Sequence, residues 1–445
     1  MKKTLVAQAL CLAFLGSAVA LPAHAGEAEL LQKIEKLATE LEAIKAELVA
    51  TRKKTDSVEK KQEDLIDTVN TAVANNAVAA SAASTTMASA ASSMAQKTVI
   101  SSYGEINYSR PTNATNQAQA DVGRAVIGIT HRFDEKTKMV AEFEWEHAIA
   151  SSGDKGETEV EQLYIEHELN NNLRAKAGLF LMPVGLLNTA HEPTAYYGVH
   201  RNFVETAIIP TTWREVGIGL SGSYDNGLSW DAGLTTGFDL SKWDAAASEG
   251  TESPLASIHQ EGQFAKSRDL SLHAALNWRG IPGLLVGGSV FSGKAGHATT
   301  DFAGNDARVT LWDMHARFTP GRWDLSALYS RGTISNTEAL NLTFIGQPTP
   351  VPSSFYGWYT QAAYQLWKSN DYSLTPFLRY EQFNTANSYA AVPQGLGVAP
   401  AGTEKVTTLG ASFKIGEGVV LKADYQKFKL DNNRDRLNLG VGYSF

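Results

Sequence analysis

From about residue 98 to the C-terminus, apolar side chains recur on every second position in short runs separated by Gly, Asn, Asp and Ser. The last ten residues show the pattern at its cleanest. Leu437, Leu439, Val441, Tyr443 and Phe445 alternate with Arg436, Asn438, Gly440, Gly442 and Ser444. In an extended strand such a series puts one apolar face opposite one polar or small face. Ala141, Phe143 and Trp145 alternate with Glu142, Glu144 and Glu146, and Ala175, Ala177 and Leu179 with Arg174, Lys176 and Gly178. Sixteen such segments are centred near residues 104, 128, 143, 164, 177, 218, 233, 274, 288, 312, 327, 361, 377, 410, 423 and 440.

A soluble sandwich also alternates, so periodicity alone leaves two fold classes open. Three features favour an all-β, 16-stranded antiparallel transmembrane β-barrel over residues 98–445. Aromatics sit at the ends of the apolar faces (Tyr108, Trp278, Trp312, Tyr364, Tyr380, Tyr425, Tyr443), as at membrane interfaces. The polar faces carry clustered charge of both signs, and the sequence finishes on a strand-like segment. Connections also fall into two sizes, with long ones at roughly 182–213, 239–268 and 333–354. A closed sheet satisfies every backbone group in lipid, which an open one does not.

The N-terminal quarter follows other rules. Lys2 and Lys3, an apolar run from Leu5 to about Leu21 and the Ala23-His24-Ala25 site predict a signal peptide over residues 1–25. The single cysteine, Cys11, lies within it, so no disulfide is expected in the mature chain. From Leu30 the apolar positions step by four and three through Ile34, Leu37, Leu41, Ile44 and Leu48, then Thr51, Thr55, Val58, Gln62, Leu65, Val69 and Ala72. This predicts an α-helical coiled coil over 26–72, the alternative being one long helix packed on a globular domain. Residues 73–97, almost all Ala, Ser, Thr and Asn, read as a linker.

Several strings imitate enzyme motifs. Gly288–Ala295 copies a phosphate-binding loop, but Ala295 replaces the hydroxyl that would hold magnesium. "HEPTA" (His191–Ala195) begins like a zinc-protease helix but lacks the second histidine and contains Pro193, so no metal is expected there. The acidic run Glu142, Glu144, Glu146, Glu166 and Glu168 reads as solvated charge on one wet face rather than as paired acid and base. No catalytic residues and no cofactor are expected. The net charge of -8 argues against a nucleic-acid partner.

A barrel of this strand number is too wide for its own side chains to fill, which predicts an aqueous channel. The segment of about 182–213 is the candidate for narrowing it, with Tyr196, Tyr197, His200, Arg201 and Arg214 as candidate constriction residues. Its alternative is an external loop packed on a neighbouring subunit. Arg124, Arg132, Arg174, Lys176, Glu142, Glu144 and Glu146 are candidate wall residues. Facing acidic and basic walls suit small polar solutes of either sign, whereas rings of one sign select ions.

The stretch Leu163–Gly222 resembles the phosphate-selective porin O and P family of Gram-negative bacteria, through Gly178, Pro183, Gly185, Arg201, Arg214 and Gly217. The resemblance implies a homotrimeric outer-membrane porin whose third long loop folds into each barrel and passes small hydrophilic solutes, anions such as phosphate among them. The last strand, with Tyr443 and Phe445, resembles the signal that the barrel-assembly machinery reads by strand addition. The competing reading makes the barrel a lipid-embedded anchor and the coiled coil the working part, a tether reaching about 70 Å into the periplasm, towards peptidoglycan, at 1.5 Å per residue. A lipid-acting barrel enzyme would need a Ser and His pair on adjacent strand ends, and no spacing favours one.

Overall fold

The computed structural model describes residues 35–36, 38–50, 52–53 and 97–445. The chain divides into two units, residues 1–92 and 93–445. In the first, the described residues are helical, and Leu41, Ile44 and Leu48 are 54–63 % exposed. The predicted signal peptide, most of the linker and the remainder of the predicted coiled coil lie outside the described residues. A helix is therefore present over part of 26–72, and its pairing into a coil is not shown.

The second unit is one antiparallel sheet closed on itself. Its first eight strands are β1 (Thr98–Pro111), β2 (Gln119–Arg132), β3 (Thr137–Glu146), β4 (Thr158–Asn170), β5 (Leu173–Leu181), β6 (Arg214–Ser223), β7 (Leu228–Thr235) and β8 (Ser271–Trp278). Then come β9 (Leu284–Lys294), β10 (Arg308–Phe318), β11 (Trp323–Ser335), β12 (Pro352–Tyr364), β13 (Trp367–Ser369), β14 (Tyr372–Tyr389), β15 (Glu404–Ile415), β16 (Val419–Phe428) and β17 (Arg436–Ser444). β13 continues β12 after a two-residue break and pairs with the same neighbour, β14, so the seventeen segments make sixteen staves. Each of the sixteen segment centres read from the sequence falls within one stave.

Closure joins β1 to β17 with Tyr103 opposite Ser444, Glu105 opposite Gly442 and Ser109 opposite Asn438. The pairing runs to the last residue: Phe445 N–H donates to Ser102 O at 2.9 Å and Ser102 N–H to Phe445 O at 3.1 Å. No strand edge is left unpaired around the ring, which is what a bilayer demands.

Side chains follow the pleat. Ile218, Leu272, Met314 and Leu409 are 61–65 % exposed, while their neighbours in sequence, among them Gly219, His273, Asp313 and Thr408, are buried. The sheet is thus apolar outside and polar within, the reverse of a soluble protein and the pattern of a lipid-facing barrel. Short turns (133–136, 171–172, 224–227, 279–283, 319–322, 416–418) occupy one end, and the longer connections, including 182–213, 236–270 and 336–351, the other.

The inner wall differs from the sequence expectation in one respect. Charge lines it on β2 to β5, but towards the long-loop end β9 to β12, β15 and β16 present Phe291, Val309, Leu311, Leu328, Ile334, Phe355, Val406 and Phe428 to an apolar core. Partners in that core come from the long connections: Met182, Val204, Ile208, Ile209, Trp213, Phe238, Leu240, Leu255, Ile258, Leu340 and Val351. Trp213 stacks on Phe238 with ring centroids 5.0 Å apart and meets Phe291 edge-on at 4.6 Å. Part of the barrel interior is therefore filled, because three long connections carry enough apolar area to bury themselves there.

Candidate functional site

The segment 182–213 leaves β5 and returns to β6, and its own sequence closes its neck. Asn188 donates from Nδ2 to the carbonyls of Met182 and Trp213, both at 2.8 Å, and its Oδ1 accepts from Trp213 N–H at 2.8 Å. One buried amide thus ties the two ends of the loop together. Past the neck lies a π-type turn, Val204–Ile208, whose Glu205 is buried. Glu205 Oε1 accepts from the N–H groups of Leu186 and Leu187 at 2.6 and 2.7 Å, and Oε2 from Asn202 Nδ2 at 2.8 Å and Tyr359 OH at 3.0 Å. Burial pushes this carboxyl above its ordinary range, while those donors pull it back.

The far part of the loop touches wall residues right across the ring. Gly185 N–H donates to Asp313 on β10 at 3.2 Å, and Tyr359, the partner of Glu205, stands on β12. Tyr196 OH donates to Glu105 on β1 at 2.7 Å, and Tyr197 OH to Asp324 on β11 at 3.2 Å. His200 meets Ser109 on β1 at 3.0 Å, Val199 N–H donates to Asp424 on β16 at 2.6 Å, and Phe203 N–H to Glu381 on β14 at 2.6 Å. Thr194 bonds Ser444 on β17 at 2.6 Å, and Arg124 on β2 donates to His191 O at 2.5 Å. A segment anchored at its ends on β5 and β6 and bonded to β1, β2, β10, β11, β12, β14, β16 and β17 of a closed ring lies inside that ring. Burial lowers the pKa of both His200 and Arg201, favouring the neutral imidazole of His200 while the Arg201 guanidinium stays charged.

Wall charges meet in pairs. Arg124 bonds Glu105 at 2.9 Å with Glu144 at 4.0 Å, Arg379 bonds Glu381 at 2.8 Å, and Arg317 grips Asp324 through two bonds of 2.9 and 2.6 Å. Lys422, buried, lies 3.7 Å over the Tyr196 ring, and its ammonium has no hydrogen-bond partner among the described residues. A cavity of about 70 Å³ runs beneath the loop, lined by Ala195, Tyr196, Tyr197, Arg317, Tyr359 and Arg379 among others.

Of the residues singled out in the sequence, Tyr196, Tyr197, His200, Arg201, Arg124, Glu142 and Glu144 come together around this loop. Arg201 is folded within it, donating to Thr212 at 3.0 Å, rather than facing open water. Arg214 stands at the start of β6, buried between Glu159 and Glu261. Arg174 and Lys176 lie further towards the short-turn end, paired with Glu168 at 3.6 Å and Asp231 at 2.7 Å. Arg132 ends β2 beside the 133–136 turn, and Glu146 ends β3 at the opposite end.

The sequence reading missed Glu105, Glu161, His191, Glu205, Asp313, Arg317, Asp324, Arg379, Glu381, Lys422 and Asp424. For the strand residues a signal existed: Lys422, Asp424 and Gln426 alternate with Leu421, Ala423 and Tyr425, and Arg379 and Glu381 with Leu378 and Tyr380.

The model of the phosphate-selective porin O and P family matches residues 95–438. An uncharacterized protein of Aquifex aeolicus (strain VF5) is 29 % identical over 346 residues, covering 76 % of this chain and 77 % of that protein. Among solved structures, Salmonella typhi OmpF in complex with daunomycin superposes with a TM-score of 0.54 at 15 % identity, over 78 % of this chain and 97 % of that one. The Acinetobacter baumannii outer-membrane channel DcaP gives 0.48 at 12 % identity, over 78 % of this chain and 97 % of that one. With a closed sixteen-stave barrel and a family match over most of its length, the chain belongs to the phosphate-selective porin O and P family and has the barrel of an outer-membrane channel.

Proposed function

We propose that the protein is a trimeric porin through which small hydrophilic solutes, anions such as phosphate among them, diffuse passively across the outer membrane. The observation that carries this reading is the segment 182–213, hydrogen-bonded to wall residues across the ring, which makes it the constriction. A water-filled barrel of this strand number is wide. An inward loop sets its limit. Around it stand both cations (Arg124, Arg379, Lys422) and carboxylates (Glu105, Glu381, Asp424), so selectivity by sign is weak and size decides most. The solute crosses without covalent chemistry.

The N-terminal helix is the assembly element in this reading. Its exposed Leu41, Ile44 and Leu48 form an apolar stripe that a coiled coil of three chains buries. The tether remains a role that this coil serves from the periplasm, not a rival to the channel. Truncation of residues 26–97 is expected to leave single-channel conductance unchanged and to lower the temperature at which trimers dissociate on gels.

The test is the reversal potential of single channels in a planar bilayer under a potassium chloride gradient, with and without added phosphate, on wild type and Lys422→Ala. A modest anion preference that phosphate reduces by competition, and that falls in the variant, supports anions among the solutes. Stepwise conductance with no preference and no phosphate effect removes anions and leaves a general porin. Absence of conductance steps overturns the channel.

A further inference from the structure

At one point the loop and the wall meet through groups with metal-ligand chemistry. Glu142 on β3, Glu161 on β4 and His191 on the loop bring one donor atom each within 4.8 Å of one another, the one such cluster of three among the described residues. Glu161 and His191 are 0 % and 4 % exposed.

Two further observations point to a cation at this junction. The β3–β4 ladder shifts register here: Glu142 pairs with Gln162, and Phe143 with Val160, so Glu161 is the extra residue of a β-bulge. A bulge re-aims a side chain. Glu161 turns inward, where its Oε2 accepts from Tyr103 OH at 2.8 Å, while the buried Oε1 accepts no well-aligned hydrogen bond among the described residues and has only an ion-pair contact with His191. That orphan oxygen lies only 2.6 Å from His191 Nε2. A buried carboxylate oxygen left without a donor is costly, and a cation removes the cost.

The imidazole is oriented for that role. His191 Nδ1 lies 2.9 Å from the carbonyl of Asn188, which only accepts, so Nδ1 carries the hydrogen and Nε2 can offer its lone pair to a metal. Glu142 is held by its register partner Gln162, whose Nε2 donates to Oε2 at 2.5 Å, a bond that does not engage Oε1. Charge agrees. Four carboxylates (Glu105, Glu142, Glu144, Glu161) gather around Arg124, whose guanidinium is paired with Glu105 and approaches Glu144.

We propose that Glu142, Glu161 and His191 bind a divalent cation of the zinc class, which pins the loop 182–213 to the β3–β4 wall. One imidazole and two carboxylates are a donor set that zinc accepts at ligand distances near 2.0–2.2 Å. The competing occupant is a proton on Nε2, shared between Glu161 Oε1 and Tyr103 OH, each 2.6 Å away. The linear motif around His191 does not contain this set, because its other two ligands come from neighbouring strands.

The experiment is equilibrium dialysis of the full-length protein, purified without a histidine tag and stripped with a chelator in detergent, against zinc chloride. It is repeated with Co²⁺ to read the visible absorption of a low-symmetry site. Wild type is expected to take up one zinc per chain, and Glu142→Gln, which keeps the bond to Gln162, to bind at least tenfold more weakly. Tyr103→Phe, which removes one of the proton's two acceptors and no ligand, is expected to bind zinc at least as tightly as wild type. Heat-modifiable gel migration verifies that each variant is a folded barrel. Zinc uptake no greater in wild type than in folded Glu142→Gln, or lost in folded Tyr103→Phe, overturns the proposal and leaves a hydrogen-bonded relay.

Discussion

Replacement of Glu205 by Ala is expected to undock the inward loop while the barrel stands. The carboxylate gathers four donors from three places: Leu186 and Leu187 at the loop's entry, Asn202 beside it, and Tyr359 on β12. In the Ala variant the two backbone N–H groups lose their acceptor inside a buried site, at about 1–3 kcal/mol each. Asn202 and Tyr359 lose theirs too. Part of the loss is returned because no charged carboxylate has to be desolvated, the same burial that raises its pKa. A net cost of about 3 kcal/mol remains, which multiplies the undocked population roughly 100-fold. The strand ladder contains none of these bonds, so heat-modifiable migration stays that of wild type. Glu205→Gln keeps one carbonyl oxygen for Leu186 and Leu187 and is expected to cost about 1 kcal/mol. Single-channel recording in planar bilayers is the assay. Glu205→Ala should give larger mean conductance and stronger open-channel noise, with Glu205→Gln between it and wild type. Conductance and noise identical to wild type in a folded Glu205→Ala barrel would refute the reasoning.

Three further outcomes are expected. Leu409→Arg places a cation on the outer face, where Leu409 is 61 % exposed, and should cost about 2–4 kcal/mol of folding stability in lipid vesicles, measured by denaturant titration; Thr408→Val, on the buried face, should not show that lipid dependence. The His200 pKa is lowered in the folded state by burial, with Arg436 next in effect, so its contribution to docking is present above the unfolded imidazole value and lost as pH falls below it. Acidification from pH 7 to about 5 should therefore raise open-channel noise in wild type and much less in His200→Gln, read in the same bilayers. Deletion of Phe445, whose backbone pairs with Ser102 at 2.9 and 3.1 Å, should reduce the amount of heat-modifiable barrel recovered from outer membranes several-fold while leaving the refolded protein's conductance unchanged.

The barrel was legible because lipid imposes a rule that every strand obeys separately: alternation appears in ten residues and needs no partner. All sixteen staves follow from it, as does the position of the long connections. The interior was less legible. Arg201 and Arg214 looked like pore residues because they are cations beside aromatics, but one is turned into its own loop and the other lies buried between Glu159 and Glu261. Phe291 and Leu311 alternate as inward residues should, yet meet Trp213 and the loops instead of water. Whether an inward position is wet or dry depends on which connection folds over it, which period-two counting does not contain. The bulge at Glu161 was hidden for a similar reason: its extra residue is visible only against the register of β3.

Solutes are expected to cross this barrel past the loop 182–213. The single cysteine of the sequence is Cys11, outside the barrel, so Ala195→Cys introduces the one thiol of residues 97–445, on that loop, where it lines the cavity beside Tyr196 and Tyr197. Single-channel current is recorded before and after a charged, water-soluble thiol reagent is added. Stepwise open channels are expected in both proteins, with a stepwise fall in current on modification of Ala195→Cys but not of wild type. Open channels whose current is untouched by complete labelling at residue 195 would place the conduction path elsewhere and contradict the account.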